Sequence, residues 1–181
     1  MSSLQVGLVA LAALLLFWTV GAYNRLMRLR NDILRSFVPV DRQLTLRHTL
    51  LQRRIDALAL AMPEHAETLA ALQAACAQAQ AALTHARSHP GAVGALNSLR
   101  LAEHILHETR GRVPLSDAAD ADPAVPADPA ELGAQLAAAE TALQFARGRF
   151  NEAAMEYNKA VQQFPTRLLA GLFGFRMAGA L

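Results

Sequence analysis

The residues best suited to chemistry are a few histidines, a lone cysteine and two pairs of asparagines. His104 and His107, flanked by Glu103 and Glu108, bring together the side-chain types that bind zinc or iron. Their spacing is not His-Glu-x-x-His, and no second cluster accompanies them. On a helical wheel both fall with Arg100, opposite Leu99, Ala102 and Ile105, which describes a solvated face. His85 and His89 share a face at a helix end and form no better site. Cys76 falls on an apolar stripe, where a thiol acts as a small hydrophobe; a single cysteine also excludes an internal disulfide. No Ser-His-Asp set, paired-carboxylate cleft or phosphate loop is present. The expectation is therefore no catalytic residue, no metal and no cofactor. The asparagines are more distinctive. Asn24 and Asn31 lie seven apart, as do Asn151 and Asn158, so each pair lines one helix face. Such pairs fix register by hydrogen bonding across helices or mark an assembly surface; the plainer alternative is a solvated rim.

The elements that position these residues start with a membrane span. Val6 to Tyr23 is free of charge, and with Leu4 it approaches the twenty or so apolar residues needed to cross a hydrocarbon core of ~30 Å. Trp18 and Tyr23 lie towards its C-terminal end, where amphipathic rings favour the headgroup layer. Val20-Gly21-Ala22 has the small residues of a signal-peptide cleavage site, but the first five residues lack the positive charge of a signal peptide, which favours a retained anchor. Arg25, Arg28, Arg30 and Arg35 follow the span and none precedes it, so the C-terminal side is expected in the cytoplasm and the N-terminus outside. Arg25, Arg28 and Arg30 are placed to face anionic lipid. Set against a bilayer and without a recognisable module, this patch does not suit nucleic acid.

Beyond the span the apolar periodicity is helical, through Leu26, Leu29, Ile33 and Phe37 and then every seventh residue to Leu44, Leu51 and Leu58. Pro39 is expected to kink this stretch. Met62-Pro63-Glu64 opens a second helix carrying Leu69, Leu72, Cys76, Ala79 and Leu83, which His89-Pro90-Gly91 closes. A third, from about Ala92 to Arg110, buries Leu99, Ala102, Ile105 and Leu106. Residues 113–129 hold four prolines and four aspartates and read as a flexible linker. The last helix, from about Ala130 to Phe164, repeats Leu136, Leu143, Phe150, Tyr157 and Phe164 in sevens, with Ala139, Ala146, Ala153 and Ala160 three places later. That is the seam of a helix packed closely in a bundle. Pro165 stops it. The tail from Leu168 to Leu181 is apolar apart from Arg176 and too short to span. It is expected to lie in the membrane interface on Leu168, Leu169, Leu172, Phe173 and Phe175, with Arg167 and Arg176 at lipid phosphates. The alternative is that it folds back onto the bundle or onto another copy.

Against these elements, Tyr23-Asn24, Leu29-Arg30-Asn31, and Asp41, Gln43, Leu44 and Arg47 resemble the opening motifs of the LemA family. Glu140, Phe145-Ala146-Arg147, Phe150-Asn151, Tyr157-Asn158, Phe164-Pro165 and Gly174-Phe175 follow that family's order and spacing. Thr49 to Arg54 departs from it. The resemblance implies an all-α chain in which an N-terminal membrane helix continues into an antiparallel bundle of long helices at the bacterial inner membrane. It implies no catalytic activity. The expected organisation is an anchor at 1–23, a cytoplasmic bundle at 24–164 and an apolar tail at 165–181. Tyr23, Asn24, Asn31, Arg147, Asn151, Tyr157, Asn158, Phe164 and Pro165 carry the structural or assembly signature. The expected role is a scaffold or adaptor that binds membrane lipid, unknown protein partners or copies of itself; the alternative is a ligand- or metal-sensing bundle.

Overall fold

The computed structural model describes residues 2–113 and 129–181, and among these there is no strand. Helix α1 runs unbroken from Ser3–Ala61, about 88 Å at 1.5 Å per residue. Ser2 caps its start: the hydroxyl accepts from the Gln5 amide and the Ser2 amide donates to the Gln5 side chain. The apolar window near the N-terminus has none of its residues buried, and by length and composition it can cross a membrane. The helix then passes through Pro39, whose missing N–H removes the usual donor to the Arg35 carbonyl without ending the helix. Packing of the apolar face on both sides of Pro39 (Phe37 and Val40 are both buried) holds it.

At Met62 the chain turns through a 3-10 segment, Pro63–His65, into α2, Ala66–Ser88. A tight turn leads to α3, Val93–Arg110. Helix α4 spans Pro129–Gln162, and a short α5, Thr166–Leu172, precedes an irregular tail. The expected linker lies almost wholly outside the described residues. Its first residue, Val113, is buried against the far core.

Contacts between helices fix the direction of each. Phe37 meets Phe150 edge to face at 5.8 Å, and Arg47 meets Glu140 at 3.3 Å, so α4 runs antiparallel to α1. Arg87 reaches Asp41 at 2.6 Å, and the Cys76 thiol lies near the His48 carbonyl, so α2 also runs against α1. Leu96 and Leu99 pack in one cluster with Ile33 and Phe37, and Ala102 and Leu106 in another with Leu51 and Ile55, so α3 runs parallel to α1. The result is an up-down-up-down bundle with the α4–α5 corner level with Tyr23, at the end of the apolar run.

Two hydrophobic clusters fill the bundle. The nearer one to the span contains Leu26, Ile33, Phe37, Leu99, Leu143, Phe150 and Tyr157; the farther one contains Leu51, Ile55, Leu69, Leu72, Leu106 and Leu136. Most expected seam residues are buried. Phe164 is the exception: it is 78% exposed, because α4 ends at Gln162 and the chain turns at Pro165 before the next heptad closes. Val161 and Ala154 complete the buried face instead, and Ile105 and Ala153 are only partly covered.

Candidate functional site

Between the two apolar clusters lies a layer of charge. Arg47 and His48 follow Leu44 on α1, Glu103 sits between Ala102 and Leu106 on α3, and Glu140 lies between Ala139 and Leu143 on α4. Arg47, His48 and Glu103 are each at least nine-tenths buried. The Arg47 guanidinium donates to Glu103 through one terminal nitrogen and to Glu140 through the other. The second Glu103 oxygen accepts from His48 Nε2 at 2.7 Å, which puts a proton on Nε2, and Nδ1 is left buried without a partner. Arg147 stands 3.9 Å from Glu103, its Nε also buried and unpartnered. Burial lowers the Arg47 and Arg147 pKa values, and Glu140 opposes both shifts. Burial, together with the charges of Arg47 and Arg87, pushes the His48 imidazole down to about 4.

This layer was visible in the sequence but not as a site. Glu103 falls on the same stripe as Leu99, Ala102 and Leu106, and Arg47 and His48 fall on the stripe of Leu44 and Leu51. A charge at a seam position was the signal. The expected solvated face is real for His104 and His107, which are exposed; their neighbour Glu103 turns inward. Among the described residues no group of His, Cys, Asp and Glu is placed to hold a metal ion. Cys76 is fully buried and burial raises its thiol pKa, as suits a core residue.

The asparagine pairs divide. Asn24 and Asn31 are exposed on α1. Asn151 and Asn158 do not reach them; their carboxamides hold the tail. Asn158 donates to the Ala178 carbonyl at 2.9 Å and accepts from the Ala178 amide at 2.7 Å. Asn151 does the same with Leu181, at 2.7 and 2.8 Å. Seven helical residues rise about 10.5 Å and three extended residues span about 10 Å, so a heptad of carboxamides matches every third residue of an extended chain. Each Asn acts as a strand partner for the tail backbone.

The tail occupies a gap. Among the described residues α3 and α4 do not pack closely on one another, and the chain from Phe175 to Leu181 lies between them. The Gly179 amide donates to the Gly91 carbonyl at 3.1 Å, and a Cβ on Gly179 would stand 3.0 Å from the Val93 backbone, so any side chain there would have to push α3 aside. Gly174, at φ +70°, reverses the chain after α5 and lets the Phe175 amide close back on the Ala170 carbonyl. Tyr23 packs edge-on to Phe173 and Phe175, with centroids 5.3 and 5.7 Å away. The tail thus folds back onto the bundle. Leu169 is buried and Phe175 partly so, while Leu168, Leu172 and Phe173 remain exposed around the base together with Phe164 and Pro165. Arg25, Arg28, Arg30, Arg167 and Arg176 are exposed, and Tyr157 is buried in the core, which raises its phenol pKa.

A scan against family models matches the LemA family over residues 36–180, so the match includes the departing stretch at Thr49 to Arg54 and begins after the motifs around Tyr23 and Asn31. No curated protein and no solved structure matches the chain. With most of its length covered by that model, and with an apolar N-terminal helix joined to an all-helical bundle, the chain belongs to the LemA family.

Proposed function

We propose that this protein is a non-enzymatic scaffold of the bacterial inner membrane, anchored by the first part of α1, with its bundle in the cytoplasm and copies of the chain as its partners. The observation that carries the reading is the groove on the outer side of α1 and α4. It has a volume of about 610 Å³ and is lined by Asp32, Arg35, Pro39, Gln43, Phe145 and Arg149. Phe145, on its wall, is a large apolar ring that is 73% exposed. Because α1 is continuous from the span into the bundle, every copy in one membrane presents this groove at the same height. Asp32 of one copy then lies level with Arg35 of the next, and Phe145 with Pro39 and Gln43, which favours an isologous contact about an axis normal to the membrane.

Lipid contact supports the same placement. Phe164, Leu168, Leu172 and Phe173 expose apolar surface level with Tyr23, and Arg25, Arg28, Arg30, Arg167 and Arg176 surround them, the distribution expected of a surface resting in a headgroup layer. The test is cysteine crosslinking in native membranes with Gln43→Cys in a Cys76→Ala background. A disulfide-linked homodimer is expected. Adducts to other proteins alone, or none, would replace self-association with an adaptor role or remove the groove from the account.

A further inference from the structure

Of the two asparagine pairs spaced by seven, the pair on α4 is spent on the tail backbone and the pair on α1 is not. Asn24 and Asn31 are exposed and make no side-chain hydrogen bond among the described residues. They stand in a regular stripe. Val20, Asn24, Met27, Asn31, Leu34 and Val38 follow one another at alternating intervals of four and three, and the same spacing runs back through Phe17, Ala13, Ala10 and Val6 into the apolar window. This is the a/d seam of a coiled coil, with asparagine at two successive a positions. The bundle leaves the stripe open. Leu34 is 42% and Val38 64% exposed, Met27 is half-buried, and α2, whose last turn meets Asp41, covers α1 only beyond that level.

The face selects its occupant. Helix α1 is unbroken from the apolar window to Ala61, so two copies anchored in one membrane present the stripe in parallel and at one height. In a parallel pair each a residue faces its own counterpart. A carboxamide both donates and accepts, so Asn24 meets Asn24 and Asn31 meets Asn31 across a two-fold axis with both groups satisfied. Leu34 and Val38 meet apolar residues in the same way. From Val6 to Val38 the stripe is about 48 Å long at 1.5 Å per residue. At about one helix width, roughly 10 Å, it covers roughly 500 Å² on each copy, or about 1,000 Å² in all, the size at which a specific interface begins to hold. Like charge opposes the contact, since Arg28, Arg30 and Arg35 flank the stripe. Arg28 stands about 7.5 Å beyond Tyr23, where lipid phosphates screen it. Arg30 acts on Tyr157 of its own bundle, and Arg35 lies 3.9 Å from Asp32.

We propose that the stripe from Val6 to Val38 on α1 pairs with the same stripe of a second copy as a parallel two-stranded coil, in which Asn24 and Asn31 bond to their counterparts. Apolar residues at these two positions would bind more strongly but would tolerate shifted registers and extra strands; asparagine gives up stability to fix two helices in one register. The pairing rests on the anchored reading given above, and not on the outer groove. Val38 of the stripe and Pro39 of the groove are about 100° apart round the helix, so the two contacts are independent. A chain that makes both forms rows rather than closed pairs, because each contact has its own two-fold axis.

The experiment uses the full chain in native membranes, with single cysteines in a Cys76→Ala background and the yield of disulfide-linked homodimer as readout. Asn31→Cys, Leu34→Cys and Val38→Cys should each crosslink, and Arg30→Cys, an exposed position off the stripe, should give several-fold less. Adding Asn31→Arg to the Val38→Cys chain places like charges face to face and should lower its yield several-fold. Asn31 is exposed in the single chain, so the unfolding temperature of the bundle should stay the same. Equal yields at Arg30 and Asn31 would mark random collision and overturn the proposal, as would a Val38 yield that Asn31→Arg leaves unchanged. Crosslinking through Gln43→Cys with none at the three stripe positions overturns this pairing and leaves the groove contact standing. Release of the chain from carbonate-washed membranes overturns the anchor on which both rest.

Discussion

At the scale of single residues, the ion layer is where the bundle departs from a plain apolar core. Burying Arg47 and Glu103 between two hydrophobic clusters costs desolvation, which their mutual contact and the added Glu140 and His48 partners offset. His48 is the titratable member. Above its ordinary pKa of 6.5 the ring is neutral in both the folded and unfolded chain, and the fold has its full stability. Between 6.5 and about 4 the unfolded chain takes up a proton that the folded ring refuses, so acid destabilises the bundle. The loss from this one group approaches about 1.4 kcal/mol per pH unit at the steepest. His48→Gln keeps an N–H donor for Glu103 but cannot titrate. The fall in unfolding temperature from pH 7 to pH 4.5 should be visibly shallower in that variant, and identical slopes would show that His48 does not carry the acid sensitivity.

At the scale of elements, the tail is held by backbone recognition and by glycine fit. Two carboxamides on one face of α4 make four hydrogen bonds to Ala178 and Leu181, and Gly179 closes against Val93 and Leu96. Replacing Asn151 and Asn158 together with Ala leaves four backbone groups unpaired in a half-buried site, at about 1–3 kcal/mol for each group that stays desolvated. The tail would release before bearing that cost. Hydrogen exchange of the amides from Phe175 to Leu181 should therefore rise by orders of magnitude in the double variant, while the α1 and α4 core amides from Phe37 to Leu44 and from Leu143 to Phe150 stay protected. Unchanged exchange in the tail would mean that apolar packing of Phe175, Ala178 and Leu181 suffices. Loss of protection in both regions would make the tail an integral part of the bundle.

At the scale of the whole molecule, one helix joins the apolar N-terminal run to the bundle, and its geometry sets the height of everything else. The antiparallel register that pairs Phe37 with Phe150 carries Phe164 to the level of Tyr23. In the full chain reconstituted with brominated lipid, Phe164→Trp in a Trp18→Phe background should be quenched strongly by bromines near the headgroups. A tryptophan in the same background at Leu60, which is exposed at the far end of α1, should not be quenched. Equal, weak quenching at both positions would lift the α4–α5 corner off the bilayer and remove the lipid contact proposed for it.

The sequence by itself determined the elements. Uninterrupted apolar residues made a run long enough to cross a membrane, heptad spacing made the long helices and their buried faces, and Pro63, Pro90 and Pro165 marked the turns, because these are local consequences of helix geometry and of proline's missing donor. The family was legible too, in short motifs at the two ends. What only the tertiary structure decided was where polar groups go. Glu103, read with its exposed histidine neighbours, turns inward because α1 offers Arg47 and His48, 56 and 55 residues away in the chain. Asn151 and Asn158, read as residues that fix register between helices or mark an assembly surface, instead grip a tail whose hydrophobicity alone pointed first to lipid. A carboxamide or a carboxylate has no spacing rule that names its partner; the partner is set by which backbone and which charge the folded chain brings within about 3 Å.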